Sequence, residues 1–336
     1  MDPKILVISH HFNSLEFLEL QYYSLKLHLK NDYEYVVFND ARDYPHYTNY
    51  NDPNIGTKIH NFCKEHNIKC IDIPPKVHNS GDNFNIRCYD TIQWSLDNYA
   101  YNHNGLVMLM DSDVFLIQDI ELHKYMENTD LASVQSARIY QKEKLCHVNN
   151  ALIIFNMFNL PNRRNLDMGT GKIKNKEHVP YYCNNCKRET FERYCCIPEE
   201  FDLNDNNNRD KYKTKIIKIT HNYQYDTDVG GYTFFYLKTH PEVRYKKIHH
   251  HAFKEKSKYD NPEHINQLDI PIKVKDFLQE EFNLFRRINS EIIGIEKYSI
   301  KGRGIWIHYK GGGNWEHKRK RFYDRKLPAF KKIFEN

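Results

Sequence analysis

Five consecutive apolar residues, Leu106 to Met110, run without a break into Asp111-Ser112-Asp113, and this segment constrains the chain more than any other. A short, uninterrupted apolar run bounded by polar residues reads as a buried strand. Two carboxylates two positions apart at its carboxyl end can converge on one hard cation. In open α/β sheets, ligands bind beyond the carboxyl ends of the strands, so fold and chemistry point to the same place. The plainer alternative is a polar turn closing a strand, because Asp-x-Asp alone is common.

The residues ahead of this strand carry the α/β reading further. Lys4 to Ser9 is a short β-branched apolar run and reads as a first buried strand. Asn13, with Glu16 three residues on and an apolar-periodic stretch to about Leu27, has the form of a capping box opening a helix. Tyr35 to Phe38 is a second strand, ending in Asn39-Asp40, and Ile68 to Ile73 is a third. Together they predict a β-α-β opening of the nucleotide-binding type. Asn83 to Tyr99 is expected to be helical, with Ile86, Tyr89, Ile92 and Leu96 near one face. Ala151 to Phe155 and Ile305 to Tyr309 are further strands, and Leu278, Phe282 and Phe285 recur at helical spacing. The expected fold is α/β, a mostly parallel sheet flanked by helices, in a single domain over residues 1–336. A nucleotide-binding half would run to about residue 125 and a sugar and acceptor half from about 126, with an insertion at about 165–226.

Composition excludes several classes. A chain of 336 residues with 40% hydrophobic and 14% aromatic content can bury a core and is not disordered. A net charge of +5 is too small to demand nucleic acid, yet a basic surface suits a phosphate-bearing ligand. No apolar stretch is long enough for a transmembrane helix, and the N-terminus reads as a strand and not a signal peptide, so a cytoplasmic protein is expected. Cys63, Cys70, Cys88 and Cys146 are scattered like buried thiols. Cys183-x-x-Cys186 and Cys195-Cys196, with His178 nearby, leave two readings: a structural zinc site or unpaired thiols in a loop. In His249-His250-His251 only the outer two share a strand face, which favours solvated imidazoles over a metal site.

A second chemistry-bearing segment is Ile307-His308-Tyr309-Lys310-Gly311-Gly312-Gly313-Asn314-Trp315. A neutral imidazole at His308 can serve as a third metal ligand. Gly311, Gly312 and Gly313 let backbone N–H groups approach a phosphate, and Lys310 adds a mobile positive charge. Ser9, His10 and Asn13 fall where a nucleoside base and ribose would sit, and Arg87 could reach the diphosphate or form a surface salt bridge. Asp226-Thr227-Asp228 precedes Gly230-Gly231 and an apolar helical stretch, Tyr232 to Leu237. Asp228 is expected to cap that helix, leaving Asp226 to point into a cleft. Either carboxylate could stabilise an oxocarbenium-like transition state or orient an acceptor hydroxyl.

Taken together these segments resemble the GT-A glycosyltransferases, in particular the retaining glycogenin-like (family 8-like) group. Asp111 and Asp113 match that group's Asp-x-Asp triplet, and His308, Lys310 and Gly311 match its late segment. Asn314-Trp315 departs from the Lys-Pro-Trp usual there. Val148 to Ile153 looks like the group's F-N-A-G-V segment, which turns Asn150 toward the donor sugar, and Asp226 to Val229 looks like its D-Q-D-V-L-N segment. The resemblance implies retaining transfer of glucose or galactose from a UDP-sugar to a hydroxyl acceptor. Mn2+ or Mg2+ would be held by Asp111, Asp113, His308 and the donor phosphates. Ser112, Lys310 and the glycine amides would lie at the diphosphate, with Asn150, Asp226 and Asp228 as the catalytic groups. The modest charge and the lack of a long apolar run lead to the expectation of no nucleic acid and no membrane span, and a homodimer is left open. The Asn-, Lys-, Tyr- and Ile-heavy composition resembles proteins of AT-rich genomes. Giant DNA viruses encode glucosyltransferases acting on galactosyl-hydroxylysine of collagen-like proteins, and this acceptor follows from that likeness alone. Two other classes fit the same ligands. A metal-dependent phosphohydrolase would need a second carboxylate-rich motif, which the sequence does not offer. A non-catalytic nucleotide-sugar-binding protein would tolerate loss of the metal ligands, and all three are present.

Overall fold

The computed structural model describes residues 3–12, 14–41, 52–78, 84–140, 143–169, 172–174, 177–178, 181–183, 188–190, 215–216, 224–226, 229–253, 262–288, 295–309 and 327–334. In chain order the first elements are β1 (Ile5–His11), α1 (Leu15–His28), β2 (Tyr33–Asn39), α2 (Ile55–Glu65), β3 (Lys69–Asp72) and α3 (Phe84–Asn98). There follow β4 (Leu106–Asp111), β5 (Val114–Leu116), α4 (Leu122–Tyr125), β6 (Leu131–Tyr140) and β7 (Glu143–Asn156). Six short strands come next: β8 (Lys172–Lys174), β9 (Glu177–His178), β10 (Tyr181–Cys183), β11 (Arg188–Thr190), β12 (Lys215–Ile216) and β13 (Gln224–Asp226). The last are α5 (Thr233–Thr239), β14 (Tyr245–Ala252), α6 (Pro262–Gln267), α7 (Ile272–Ile288), β15 (Ile295–Ile300), β16 (Arg303–Tyr309) and α8 (Leu327–Phe334). The fold is mixed α/β, a large sheet flanked by helices. Among the described residues no helix is long and apolar enough to cross a membrane.

The chain divides into two compact units, the first comprising Met1–Ile73, Met108–Glu127 and Lys247–Asn336. In it β1 pairs with β2, and β2 with β3, in parallel, in the order β3-β2-β1-β4. The apolar runs read from the sequence form these strands, and Ile5, Val7, Ile8, Val36, Val37 and Phe38 are buried. The first helix starts differently from the expectation. Ser14, in extended backbone (φ −141°, ψ 110°), is its N-cap, and its Oγ accepts from Phe17 N at 3.3 Å. Asn13 itself lies outside the described residues.

The second run of strands in this unit is antiparallel, β14-β15-β16-β5. A two-residue turn, Lys301-Gly302, joins β15 to β16 with φ of +49° and +86°. Positive φ at both positions suits the right-handed twist of a tight hairpin. The turn sets Ile300 opposite Arg303 and Ser299 opposite Gly304, but the register then shifts, with Tyr298 opposite Trp306. Ile305 is thus the extra residue of a β-bulge, and the shift brings His308 opposite Glu296. Beneath these strands Phe17, Phe115, Phe277, Ile307 and Phe330 share one hydrophobic core, to which α8 contributes Leu327, Phe330 and Phe334.

The second unit comprises Pro74–Val107 and Asn128–Lys246. It contains α3, close to the predicted 83–99, and a long β6–β7 hairpin. The strand expected over 151–155 extends to Glu143–Asn156, so Asn150 lies inside it and not at its start. Within the stretch read as an insertion, the short strands make two three-stranded sheets, β11-β10-β12 and β13-β8-β9. The expectation that Asp228 caps the following helix is corrected: the helix starts at Thr233, with Tyr232 in the N-cap position. Its start is delayed by a turn built on Gly230, whose φ is +91°. Gly230 N donates to Met168 O at 2.6 Å, and Thr233 Oγ1 donates to the Gly230 carbonyl while accepting from Val148 N at 3.0 Å. A Cβ at position 230 would lie 2.1 Å from the Val148 carbonyl oxygen. Gly230→Ala is therefore expected to destabilise the protein by more than about 2 kcal/mol, read as a lowered denaturation midpoint, because left-handed backbone and a backbone clash coincide.

Candidate metal centre

The site is assembled wholly within the first unit. β4 ends at Asp111, Ser112 turns the chain, and Asp113 leads directly into β5. β5 then pairs antiparallel with β16, Val114 lying opposite His308, and Tyr309 N donates to Asp113 O at 2.8 Å. Strand pairing thereby brings a residue from the far end of the chain onto the Asp-x-Asp turn. Ligand-capable atoms of Asp111, Asp113 and His308 all lie within 4.8 Å of one another. His308 Nε2 is 3.2 Å from Asp113 Oδ1. Asp113 and His308 are buried, while Asp111 and Ser112 are half-buried. Two carboxylates and an imidazole suit Mn2+ or a similar divalent ion.

Two further residues, not anticipated from sequence, hold the imidazole. His308 Nδ1 lies 3.1 Å from Glu296 Oε2 and 2.5 Å from the Tyr298 hydroxyl, which donates to Glu296 Oε2 at 3.1 Å. A carboxylate on Nδ1 fixes the tautomer that leaves Nε2 for a cation, as in many metal-binding histidines. Glu296 and Tyr298 alternate along β15 and so share a face, and the bulge at Ile305 is what puts that face opposite His308. The alternation is visible in sequence, but the bulge that pairs it with His308 is not.

The electrostatics favour positive charge at this point. Burial works against charging His308, yet Asp113 and Glu296 outweigh it and push its pKa up to about 10. Burial, reinforced by Glu296, holds the Tyr298 phenol well above its ordinary range. These two carboxylates favour the protonated form of His308. Its folded pKa lies above its unfolded one, so the protonated form is favoured by folding. That contribution is complete below about pH 6.5 and is lost as pH rises through about 10. Denaturation midpoints in EDTA are therefore expected to fall between pH 7 and 10. A cation must displace the same proton, so Mn2+ affinity should rise about tenfold per pH unit below about pH 10, with near one proton released, measurable by titration calorimetry in buffers of different ionisation enthalpy. Asp113→Asn should flatten both profiles.

The other residues singled out from sequence fall as follows. Ser9 is buried, its Oγ 3.0 Å from His11 Nε2 and 2.8 Å from the Tyr35 hydroxyl. His10 is half-buried and stacks on Phe38, with ring centroids 5.3 Å apart, and burial together with His11 lowers its pKa to about 3. Asn150, in the second unit, is half-buried and its Nδ2 donates to Cys88 Sγ at 3.7 Å. Arg87 lies in α3, Asp226 ends β13 and Cys183 ends β10, and their side chains lie outside what the structure describes. Asp228, Lys310, Gly311, Gly312, Gly313, Cys186, Cys195 and Cys196 lie outside the described residues altogether. Of the predicted residues, then, the described geometry brings Asp111, Ser112, Asp113 and His308 together.

No protein-family model and no curated protein matches the chain. Solved structures do. The WbbM bifunctional glycosyltransferase is 14% identical, with a TM-score of 0.31 over 47% of this chain and 32% of its own. Core-mannan synthase A from Aspergillus fumigatus, in its Mn/GDP form, is 12% identical, with a TM-score of 0.30 over 46% of this chain and 60% of its own. A mannosyltransferase from Pyrobaculum calidifontis, in complex with GDP-mannose and Mn2+, is 11% identical, with a TM-score of 0.30 over 46% of this chain and 45% of its own. This chain covers less than two thirds of the length of each of them. What it is similar to, in all three cases, is part of a glycosyltransferase.

Proposed function

We propose that the chain is a metal-dependent glycosyltransferase that moves a hexose from a nucleoside-diphosphate sugar to a hydroxyl acceptor. The observation that carries this reading is the convergence of Asp111, Asp113 and His308 within 4.8 Å at the carboxyl end of an α/β strand. Bound there, Mn2+ or Mg2+ would supply Lewis-acid neutralisation of the diphosphate leaving group. The chain's own residues divide the remaining work. Asp111 and Asp113 offer carboxylate oxygens, and Glu296 orients His308. Lys310 and the amides of Gly311, Gly312 and Gly313 would offset charge on the departing diphosphate, with Ser112, Ser9, His10, Asn13 and Arg87 on the donor side. Asn150, Asp226 and Asp228 are assigned to the sugar or the acceptor.

The donor in this reading is UDP-glucose or UDP-galactose, the anomeric configuration is retained, and a galactosyl-hydroxylysine of a collagen-like protein is the acceptor to try first. A two-metal phosphohydrolase would need a second ligand cluster, and among the described residues Asp111, Asp113 and His308 form the one candidate group. The test is release of free nucleoside diphosphate from a panel of UDP-glucose, UDP-galactose and GDP-mannose, each with Mn2+ or EDTA. Slow hydrolysis of the donor needs no acceptor. Metal-dependent release from one donor is the expected result. If no donor is turned over and none raises the melting temperature with Mn2+ present, the reading is wrong.

A further inference from the structure

We propose that Gln21, on α1, is a positioning residue that sets the Asp111–Asp113 turn for its cation, an inference that rests on the metal-site reading above. Gln21 is fully buried. Its Nε2 donates to the Asp111 carbonyl and to the Val114 carbonyl, each at 2.9 Å. Its Oε1 accepts from the Tyr35 hydroxyl at 2.7 Å and lies 3.3 Å from His11 Nε2. The amide has one orientation that serves all these partners, because two carbonyls can accept only from its NH2 group. The two donated bonds straddle Ser112-Asp113, so a single side chain staples both ends of the segment that carries the carboxylates. Tyr309 N holds the Asp113 carbonyl from the β16 side. Three of the four carbonyls between Asp111 and Val114 are thus fixed from outside the turn, one of them by the residue next to His308.

The structure supplies its own control. Ser24 is also buried on α1, donates to the Gln21 carbonyl at 2.8 Å and accepts from Leu116 N at 3.3 Å. It braces β5 beyond the carboxylates without touching the turn. If Gln21 acts only by holding α1 on the strands, the two residues should behave alike.

The experiment titrates the full-length protein with Mn2+ alone, following free Mn2+ by electron paramagnetic resonance, and records the melting temperature in EDTA. Gln21→Met, close in size and without the amide, is expected to bind Mn2+ about tenfold or more weakly, the usual cost of losing an outer-shell partner. Ser24→Ala is expected to lower the melting temperature while binding Mn2+ like the wild type. Equal affinity of Gln21→Met and wild type would overturn the proposal, as would an equal loss in Ser24→Ala. Absence of Mn2+ binding by the wild type would instead remove the metal-site reading itself. Should Gln21→Met fail to fold, Tyr35→Phe deletes the hydroxyl that holds Oε1 and is expected to weaken Mn2+ binding, in the same direction as Gln21→Met. Unchanged affinity in that variant would likewise refute the positioning role.

Discussion

Asp113→Asn is expected to lower metal-dependent nucleoside diphosphate release by about 10²–10³-fold, the equivalent of several kcal/mol of transition-state charge stabilisation. The substitution keeps the size of a buried side chain and removes its charge, so the effect is chemical and not a packing defect. Two consequences separate it from general damage. Asp113 is one of the two carboxylates that charge His308, so the variant's stability in EDTA should depend less on pH than the wild type's. Its Mn2+ affinity should fall in step with turnover, measured on the same preparation. A variant that released nucleotide within about threefold of wild type, with unchanged Mn2+ binding, would mean that the cluster is not the site of catalysis, since a lost metal ligand costs far more.

What was legible in the sequence follows from which signals are local. Apolar runs such as Leu106 to Met110 announce themselves because burial removes whole side chains from water, and the β-α-β opening was read from such runs. Asp111 and Asp113 were visible as a pair because two positions along an extended chain end separate them. Capping was harder. The sequence pattern points to Asn13, and only backbone geometry shows that Ser14, one residue on, is the N-cap. Asp228 was a reasonable cap until Gly230, in left-handed backbone, postponed the helix to Thr233.

The supporting residues of the site were not legible for a different reason. Glu296 meets His308 through a hairpin whose register is changed by one extra residue, Ile305. Without that bulge the Lys301-Gly302 turn would set Glu296 against Ile307, and the imidazole would face the wrong side of the sheet. Gln21 reads as an ordinary polar residue of an amphipathic helix until the helix is laid against β4 and β5. Both depend on pairings between distant segments, which no local pattern encodes.

The pairing of β5 with β16 explains why a residue that is not itself a ligand should have the largest effect on folding. Phe330 on α8 is fully buried, with its ring centroid 5.1 Å from Phe115, 5.2 Å from Phe277, 5.8 Å from Phe334 and 6.2 Å from Tyr309. Phe115 lies on β5, two residues after Asp113, and Tyr309 on β16, directly after His308. Phe330→Ala is expected to cost about 3–5 kcal/mol, the range for emptying a buried aromatic site, with lost edge-to-face contacts included. The cavity lies under the two strands whose pairing brings Asp113 and His308 together. Mn2+ binds only the folded arrangement, so it should return part of the loss. At a hundredfold excess over the dissociation constant the return is about 2.7 kcal/mol. Urea denaturation of wild type and Phe330→Ala, each with EDTA and with saturating Mn2+, measures both quantities at once. The expected pattern is a large drop in EDTA and a partial recovery with Mn2+. A variant as stable as wild type in EDTA would show that α8 is not a necessary part of this core. A full drop with no recovery would show that the strands beneath the metal turn no longer hold its ligands in place.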